Sequence, residues 1–187
     1  MHPSAVSKLF QLFQDRGQVR YEGHSITQLQ HALQCALFAK RQGAESTLVA
    51  AALLHDIGHL IDDHEPHEFQ EHSLHDMHEE RAFCWLKEHF GHAVADPIRL
   101  HVQAKRYLCT IEPEYIHALS PIARRNYYDL GGPMSGAELD DFRDEPYAFE
   151  AVQLRRWDDM AVQPDMVTPT LEEYLPLLES LVLEPAY

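Results

Sequence analysis

Apolar residues recur at helical spacing along almost the whole chain. Val6, Leu9, Phe10, Leu12 and Phe13 mark one face of an amphipathic segment from Ser4 to Arg16. Gly17 to Ser25 breaks it. Leu29, Leu33, Ala36, Leu37 and Ala39 then predict a second helix, capped by Ser25 or Thr27, running through His31 to about Gln42. Glu45 to Ile57 reads as a third, unusually apolar helix. A fourth begins around Met77, with Ala82, Phe83, Leu86 and Phe90 as its stripe, and stops at Gly91. The next covers Val94 to Tyr107, with Pro97 in its first turn. Short helices are predicted over Glu112 to Ala118 and Pro121 to Tyr128, then a turn at Gly131-Gly132-Pro133-Met134 and a further short helix opened by Ser135 or Gly136. A clear helix from Glu145 to Trp157 should turn Phe149, Val152 and Leu154 inward, and Thr170 to Leu183 should form a C-terminal amphipathic helix. No segment sustains the period-two alternation of a strand. The expected fold is all-α, a single domain over residues 1–187.

The third helix carries the main anomaly. Its apolar run, Ala51 to Leu54, leads straight into His55, Asp56 and, after Ile57 and Gly58, His59. Burying a carboxylate beside imidazoles is costly without a counter-charge. A divalent or trivalent metal supplies one, because neutral imidazole and carboxylate both suit first-row transition metals. The same residues also fit a helix running out into solvent. His31 lies close to its helix's apolar stripe, where a satisfied core histidine is the ordinary reading. Lys105 follows His101 by four residues and so shares its helix face. Ile61 to Asp76 is a polar, acidic, His-rich stretch, long for a loop in a compact domain, and reads as an active-site flap.

Composition narrows the function classes. The 187 residues are 45% hydrophobic, with no apolar run of membrane-spanning length. Met1 to Arg20 lacks the succession of a signal peptide, so a cytoplasmic protein is expected. A net charge of -15 argues against partners that are nucleic acids or anionic membranes. Cys35, Cys84 and Cys109 lie in apolar helical patterns without a CxxC pair and read as reduced core thiols. There are 14 histidines. His64, His67, His72, His75, His89 and His92 fall in polar stretches and read as idle.

Placed in order, His31, His55-Asp56, His78, His101 and Asp158 each come from a different predicted helix. A His, a His-Asp doublet and a distal Asp resemble the HD-domain superfamily, and the two intervening histidines resemble its diiron members. The closer resemblance is to the HD-domain mixed-valent diiron oxygenases that cleave the carbon–phosphorus bond of 2-amino-1-hydroxyethylphosphonate. It is carried by Tyr21, by Gln28-Leu29-Gln30-His31 with Cys35, and by Ala51 and Leu53-Leu54-His55-Asp56-Ile57-Gly58-His59. Further along it rests on His101-Val102-Gln103-Ala104-Lys105-Arg106-Tyr107-Leu108, Gly131-Gly132-Pro133-Met134 and Trp157-Asp158.

That resemblance implies a helical bundle with a dinuclear site at its centre. Asp56 would bridge two irons in an Fe(II)/Fe(III) state, with His31, His55 and Asp158 completing one shell and His78 and His101 the other. His78 is preferred over the nearby His72 and His75 because it opens a well-patterned helix. His59 and Lys105 would hold the phosphonate, and Tyr21 would act as a stand-in ligand until substrate arrives. The partners implied are a small hydroxyphosphonate and O2. His24 stands where the family has an acidic contact to a primary ammonium, and Ala123 and Asn126 stand where it has Ser or Thr. With the Tyr127-Tyr128 pair, these departures point to a trimethylammonio head group, because aromatic faces stabilise quaternary ammonium; His24, Asn126 and Tyr127 then become substrate-binding candidates. Core packing of both tyrosines is an equal reading. The main rival function is an HD phosphohydrolase acting on a phosphomonoester or nucleotide.

Overall fold

The computed structural model describes residues 4–21, 23–61 and 78–183. Among these the regular secondary structure is helical, with one isolated antiparallel bridge between Arg20 and Thr27. Helix α1 spans Ala5–Arg16, with the Ser4 hydroxyl accepting from Ser7 N at its start. Helix α2 spans Gln28–Arg41 and opens on a capping box: Thr27 accepts from Gln30 N, and the Gln30 side chain accepts from Thr27 N. The expectation for both helices holds.

Helix α3 covers Ser46–Leu54 and is the hub of the fold. Leu48 to Leu54 are buried without interruption, so this helix is apolar on every face and must be surrounded. It packs against α2 and against α6 (His92–Ile111), while α6 also packs on α5 (His78–Phe90) and on α10 (Ala148–Met160). Leu53, Leu54, Ile98, Leu154 and Trp157 fill the space between them. Truncating a residue such as Leu54 to alanine costs about 2–5 kcal/mol by the usual cavity penalty. A four-residue helix, α4 (Gly58–Ile61), follows α3. On the far side of α6 lie α7 (Tyr115–Ala118), α8 (Pro121–Asp129) and α9 (Gly136–Asp144). A 3-10 turn at Leu171–Tyr174 and α11 (Leu175–Leu181) close the described chain. No described helix is long and apolar enough to cross a membrane.

The sequence pieces around Lys105 and the Gly-Gly-Pro-Met turn share a structural role. Gly131 and Gly132 have φ of 105° and 65°, which side chains disfavour. Arg106 Nε donates to Gly132 O at 2.9 Å, and Met134 N donates to Thr110 Oγ1 at 2.9 Å. The turn is thereby fixed to α6.

Several boundaries differ from expectation. Helix α6 begins at His92, so Pro97 sits in its second turn rather than its first. Helix α10 starts at Ala148 rather than Glu145, and its buried stripe runs through Ala151, Leu154, Arg155 and Asp158, so Phe149 lies on its outer side, 70% exposed, instead of inward. Helix α7 is shorter than the Glu112 to Ala118 segment expected. Cys84 is exposed, whereas Cys35 and Cys109 are buried thiols as expected. The flap expected over Ile61 to Asp76 lies, apart from Ile61, outside the described residues, as do His64, His67, His72 and His75.

Candidate metal centre

The third helix does not continue to Ile57. It ends at Leu54, and the chain tightens: Ile57 N donates to Leu54 O, His59 N to Asp56 O and Leu60 N to Ile57 O, all at 2.9–3.0 Å. These three-residue bonds wind more tightly than an α-helix. The tightening turns consecutive side chains, His55 and Asp56, toward the same interior space. Both are buried.

Four donor atoms converge first. His31 Nε2 lies 3.1 Å from His55 Nε2, 3.2 Å from Asp158 Oδ1 and 3.5 Å from Asp56 Oδ2. His55 Nε2 lies 3.4 Å from Asp56 Oδ2 and 3.6 Å from Asp158 Oδ1. Ligands about 2.1 Å from a common ion stand roughly 3.0–3.5 Å from one another, so these spacings suit one cation. Ring orientation supports the same conclusion. His31 Nδ1 bonds Ala161 O at 2.9 Å, and His55 Nδ1 bonds Ala52 O at 3.0 Å. Carbonyl oxygens only accept, so each Nδ1 carries a proton and each neutral ring turns its Nε2 lone pair inward. Two lone pairs facing at 3.1 Å require a cation or a proton between them. Without a metal the protonated form is favoured: burial disfavours the charged ring, but Asp56 and Asp158 override it and push the His55 pKa up to about 9.

The other oxygen of Asp56 faces a second set. His78 Nε2 lies 3.7 Å from Asp56 Oδ1, and His101 Nε2 lies 3.9 Å from it. His101 Nδ1 bonds Ile98 O at 2.6 Å, which again aims Nε2 inward. Burial, then the neighbouring His55 and His78, hold the His101 pKa well below its ordinary value, keeping it a neutral ligand. Gly58 explains how α5 comes this close. A Cβ there would meet His78 O at 1.9 Å, so only glycine admits the backbone that carries the His78 ring. The His59 ring stacks on His78 at 3.9 Å between centroids.

A cavity of about 200 Å³ opens beside Asp158. Tyr21, His24, Lys105, Arg155 and Asp159 supply polar groups to its wall, while Ala118, Leu119, Ala123 and Val162 supply apolar ones. Tyr21 is held over the first ligand set: its ring stacks on His31 at 3.8 Å and its hydroxyl donates to Asp158 Oδ1 at 3.4 Å. His24 stacks more loosely on Tyr21, at 5.6 Å. Lys105 is buried and lies one helical turn beyond His101.

All six metal-ligand candidates therefore meet around Asp56, and Tyr21, His24 and Lys105 share the adjoining cavity. His59 is not among the cavity's lining residues but lies beside the second set, stacked on His78, and the other candidates fall farther from the site. Tyr127 is buried in an apolar cluster with Cys109 and Leu119, and Tyr128 is 59% exposed. Asn126 does not line the cavity either, although Ala123, one turn earlier on α8, does. The tyrosine pair is thus packing and surface, because α8 turns Tyr127 toward α6 instead of toward the cavity. Arg155 and Asp159 also line the cavity, although neither was among the site residues expected from the sequence. Their three- and four-residue spacing, Arg155 to Asp158 and to Asp159, was the signal. The Ala161 carbonyl and Gln34 were also overlooked. Gln34 Nε2 donates to Gln163 O at 2.7 Å and Gln34 Oε1 accepts from Gln163 N at 3.0 Å, pinning the segment that orients His31.

Comparison with known proteins identifies the family. Residues 28–123 match the HD domain family. The chain is 45% identical over 177 residues to hydroxymethylphosphonate dioxygenase of Gimesia maris, covering 94% of this chain and 87% of that protein. It is 34% identical over 175 residues to the glycine-betaine-forming [1-hydroxy-2-(trimethylamino)ethyl]phosphonate dioxygenase of Leisingera caerulea, covering 91% and 87%. An uncharacterised protein of Acanthamoeba polyphaga mimivirus is 36% identical over 158 residues, covering 83% and 72%. The protein is an oxidoreductase with a candidate metal centre, and it belongs to the HD-domain family, among the phosphonate dioxygenases.

Proposed function

We propose that the protein uses O2 to cleave the carbon–phosphorus bond of a small 1-hydroxyphosphonate at a pair of irons in the Fe(II)/Fe(III) state, releasing phosphate. The observation that carries this reading is the division of Asp56 between two ligand sets beside a cavity that Lys105 lines. Four imidazoles and two carboxylates form a nitrogen and oxygen donor set suited to iron. When bound, the two irons supply the redox chemistry that oxidises C1.

The chain's own residues position the reactants. Lys105 offers N–H donors to the phosphonate oxygens, and its burial makes such charge-assisted bonds stronger than they would be in water. His59 supplies a further donor from α4, next to His78. Tyr21, already hydrogen-bonded to a ligand carboxylate, covers the first ligand set until substrate displaces it. The apolar wall of Ala118, Leu119, Ala123 and Val162 limits the water that competes for these contacts.

The cavity also bears on the head group. Asp159, a carboxylate in its wall, has both oxygens committed: Arg155 reaches Oδ1 and Oδ2, and Tyr115 OH reaches Oδ2. His24 stands at the wall in place of a carboxylate. Such a wall is a poor partner for a primary ammonium. Tyr127 and Tyr128 give a trimethylammonio group no aromatic support here, and the 45%-identical relative is named for hydroxymethylphosphonate. Hydroxymethylphosphonate is therefore the favoured substrate. Its acid and one O2 yield formic acid and phosphoric acid with every atom accounted for.

The test is oxygen uptake by iron-loaded protein under mild reductant with hydroxymethylphosphonate, the 2-amino-1-hydroxyethyl compound and its trimethylammonio analogue, while phosphate is assayed. Highest kcat/KM with hydroxymethylphosphonate is expected. Preference for the trimethylammonio compound overturns the head-group assignment, and phosphate released without oxygen uptake overturns the oxygenase reading in favour of hydrolysis.

A further inference from the structure

Arg155 is 4% exposed and lies inside the bundle on α10, against two carboxylates of its own helix. Its NH2 approaches Asp158 Oδ2 at 2.5 Å and Asp159 Oδ1 at 2.5 Å, while its Nε donates to Asp159 Oδ2 at 3.0 Å. Asp159 is held in turn from α7, where Tyr115 OH donates to Oδ2 at 2.6 Å. Arg156 stacks over the Tyr115 ring, which ties α7 to α10 a second time, and pairs with Glu112 at the end of α6.

This arrangement divides the two oxygens of Asp158. Oδ2 faces the guanidinium, and Oδ1 faces His31 and His55 at 3.2 and 3.6 Å. A carboxylate whose second oxygen is bonded to a planar, fixed donor cannot rotate to chelate through both oxygens. We infer that Arg155, buttressed by Asp159 and Tyr115, is a positioning residue that presents Asp158 through Oδ1 alone and so sets the affinity of the first ligand set for its metal. The second ligand set has no part in this clamp. Its loss should therefore unbalance the two metals rather than release both.

The inference rests on the diiron reading, and the experiment separates the two. Iron-loaded wild type, Arg155→Lys, Arg155→Met and Tyr115→Phe are challenged with a graded chelator, with iron per chain counted and the iron environments followed by Mössbauer spectroscopy. Outer hydrogen-bond partners of metal ligands typically govern roughly ten- to hundredfold in affinity. One of the two irons should become about ten- to hundredfold easier to remove in Arg155→Met and less than tenfold easier in Tyr115→Phe, with Arg155→Lys between them and the other iron held as in wild type. Arg155→Met leaves two carboxylates without their partner and is the variant most exposed to misfolding. Tyr115→Phe keeps every charge, so the test stands on it and on the lysine variant. Equal loss of both irons, or no change in either while circular dichroism and melting match wild type, overturns the inference. A wild type that binds fewer than two irons overturns the diiron reading itself.

Discussion

The two ligand sets on either side of Asp56 are built differently. In the first, His31 and His55 are fully buried, both rings are locked by carbonyls, and Asp158 is clamped by Arg155. Every donor there comes from α2, α10 or the turn after α3, elements that pack directly on one another. The second set has three donors, Asp56 with two imidazoles at 3.7 and 3.9 Å from it, and the His78 side chain is 14% exposed at the first residue of α5. Its geometry depends on the close approach at Gly58. A set with four donors and fixed rings favours tight retention of a metal. A set with three donors leaves more positions open for a small molecule such as O2, while the first set borders the cavity proposed to take the phosphonate.

Breaking the shared residue should have the largest effect. Asp56→Ala removes an oxygen donor from each set, and oxygen uptake should fall to background with iron content below one per chain, as counted by metal analysis. His78→Ala should separate the sets: about one iron should be lost and one retained, with turnover abolished. His75→Ala should leave both irons in place; an equal loss there would move the ligand to His75. Lys105→Met distinguishes metal binding from anion binding. It should leave both irons bound and raise KM for the phosphonate by roughly ten- to hundredfold, the range expected for one charge-assisted hydrogen bond of about 1.5–3 kcal/mol. Gly58→Ala is the gentlest of these tests. Its Cβ would displace the His78 backbone, and the second iron should be bound about tenfold more weakly while the first is unchanged in chelator competition.

The same contrast explains what could be read from the sequence. His31 could be placed close to an apolar stripe, and the His55-Asp56 doublet at the end of an apolar run called for a cation if buried; His101 and Asp158 joined them only through the family resemblance. Asp56 was legible as a bridge only through family resemblance. The tight turn that aims it was not, because Ala51 to Ile57 is apolar enough to continue as helix, and its end is set by packing around α3 and not by a breaker residue. Phe149 shows the same limit: the inward face of its helix includes the charged Arg155 and Asp158, so choosing the face by its largest apolar residues selects the wrong side. Tyr127 and Tyr128 could be placed on a helix but not relative to the cavity, since Tyr127 packs with Cys109 and Leu119, partners that helical spacing does not reveal. Arg155 was visible as a charge, yet its role depends on Tyr115 and Asp159 meeting across α7 and α10.

The most direct measurement is phosphate release from hydroxymethylphosphonate by the iron-loaded protein, in air-saturated and in strictly anaerobic buffer, with O2 consumption recorded alongside. The account predicts one phosphate per O2 consumed and no turnover without oxygen. Phosphate release that continues anaerobically would contradict it and would make this metal centre a hydrolase.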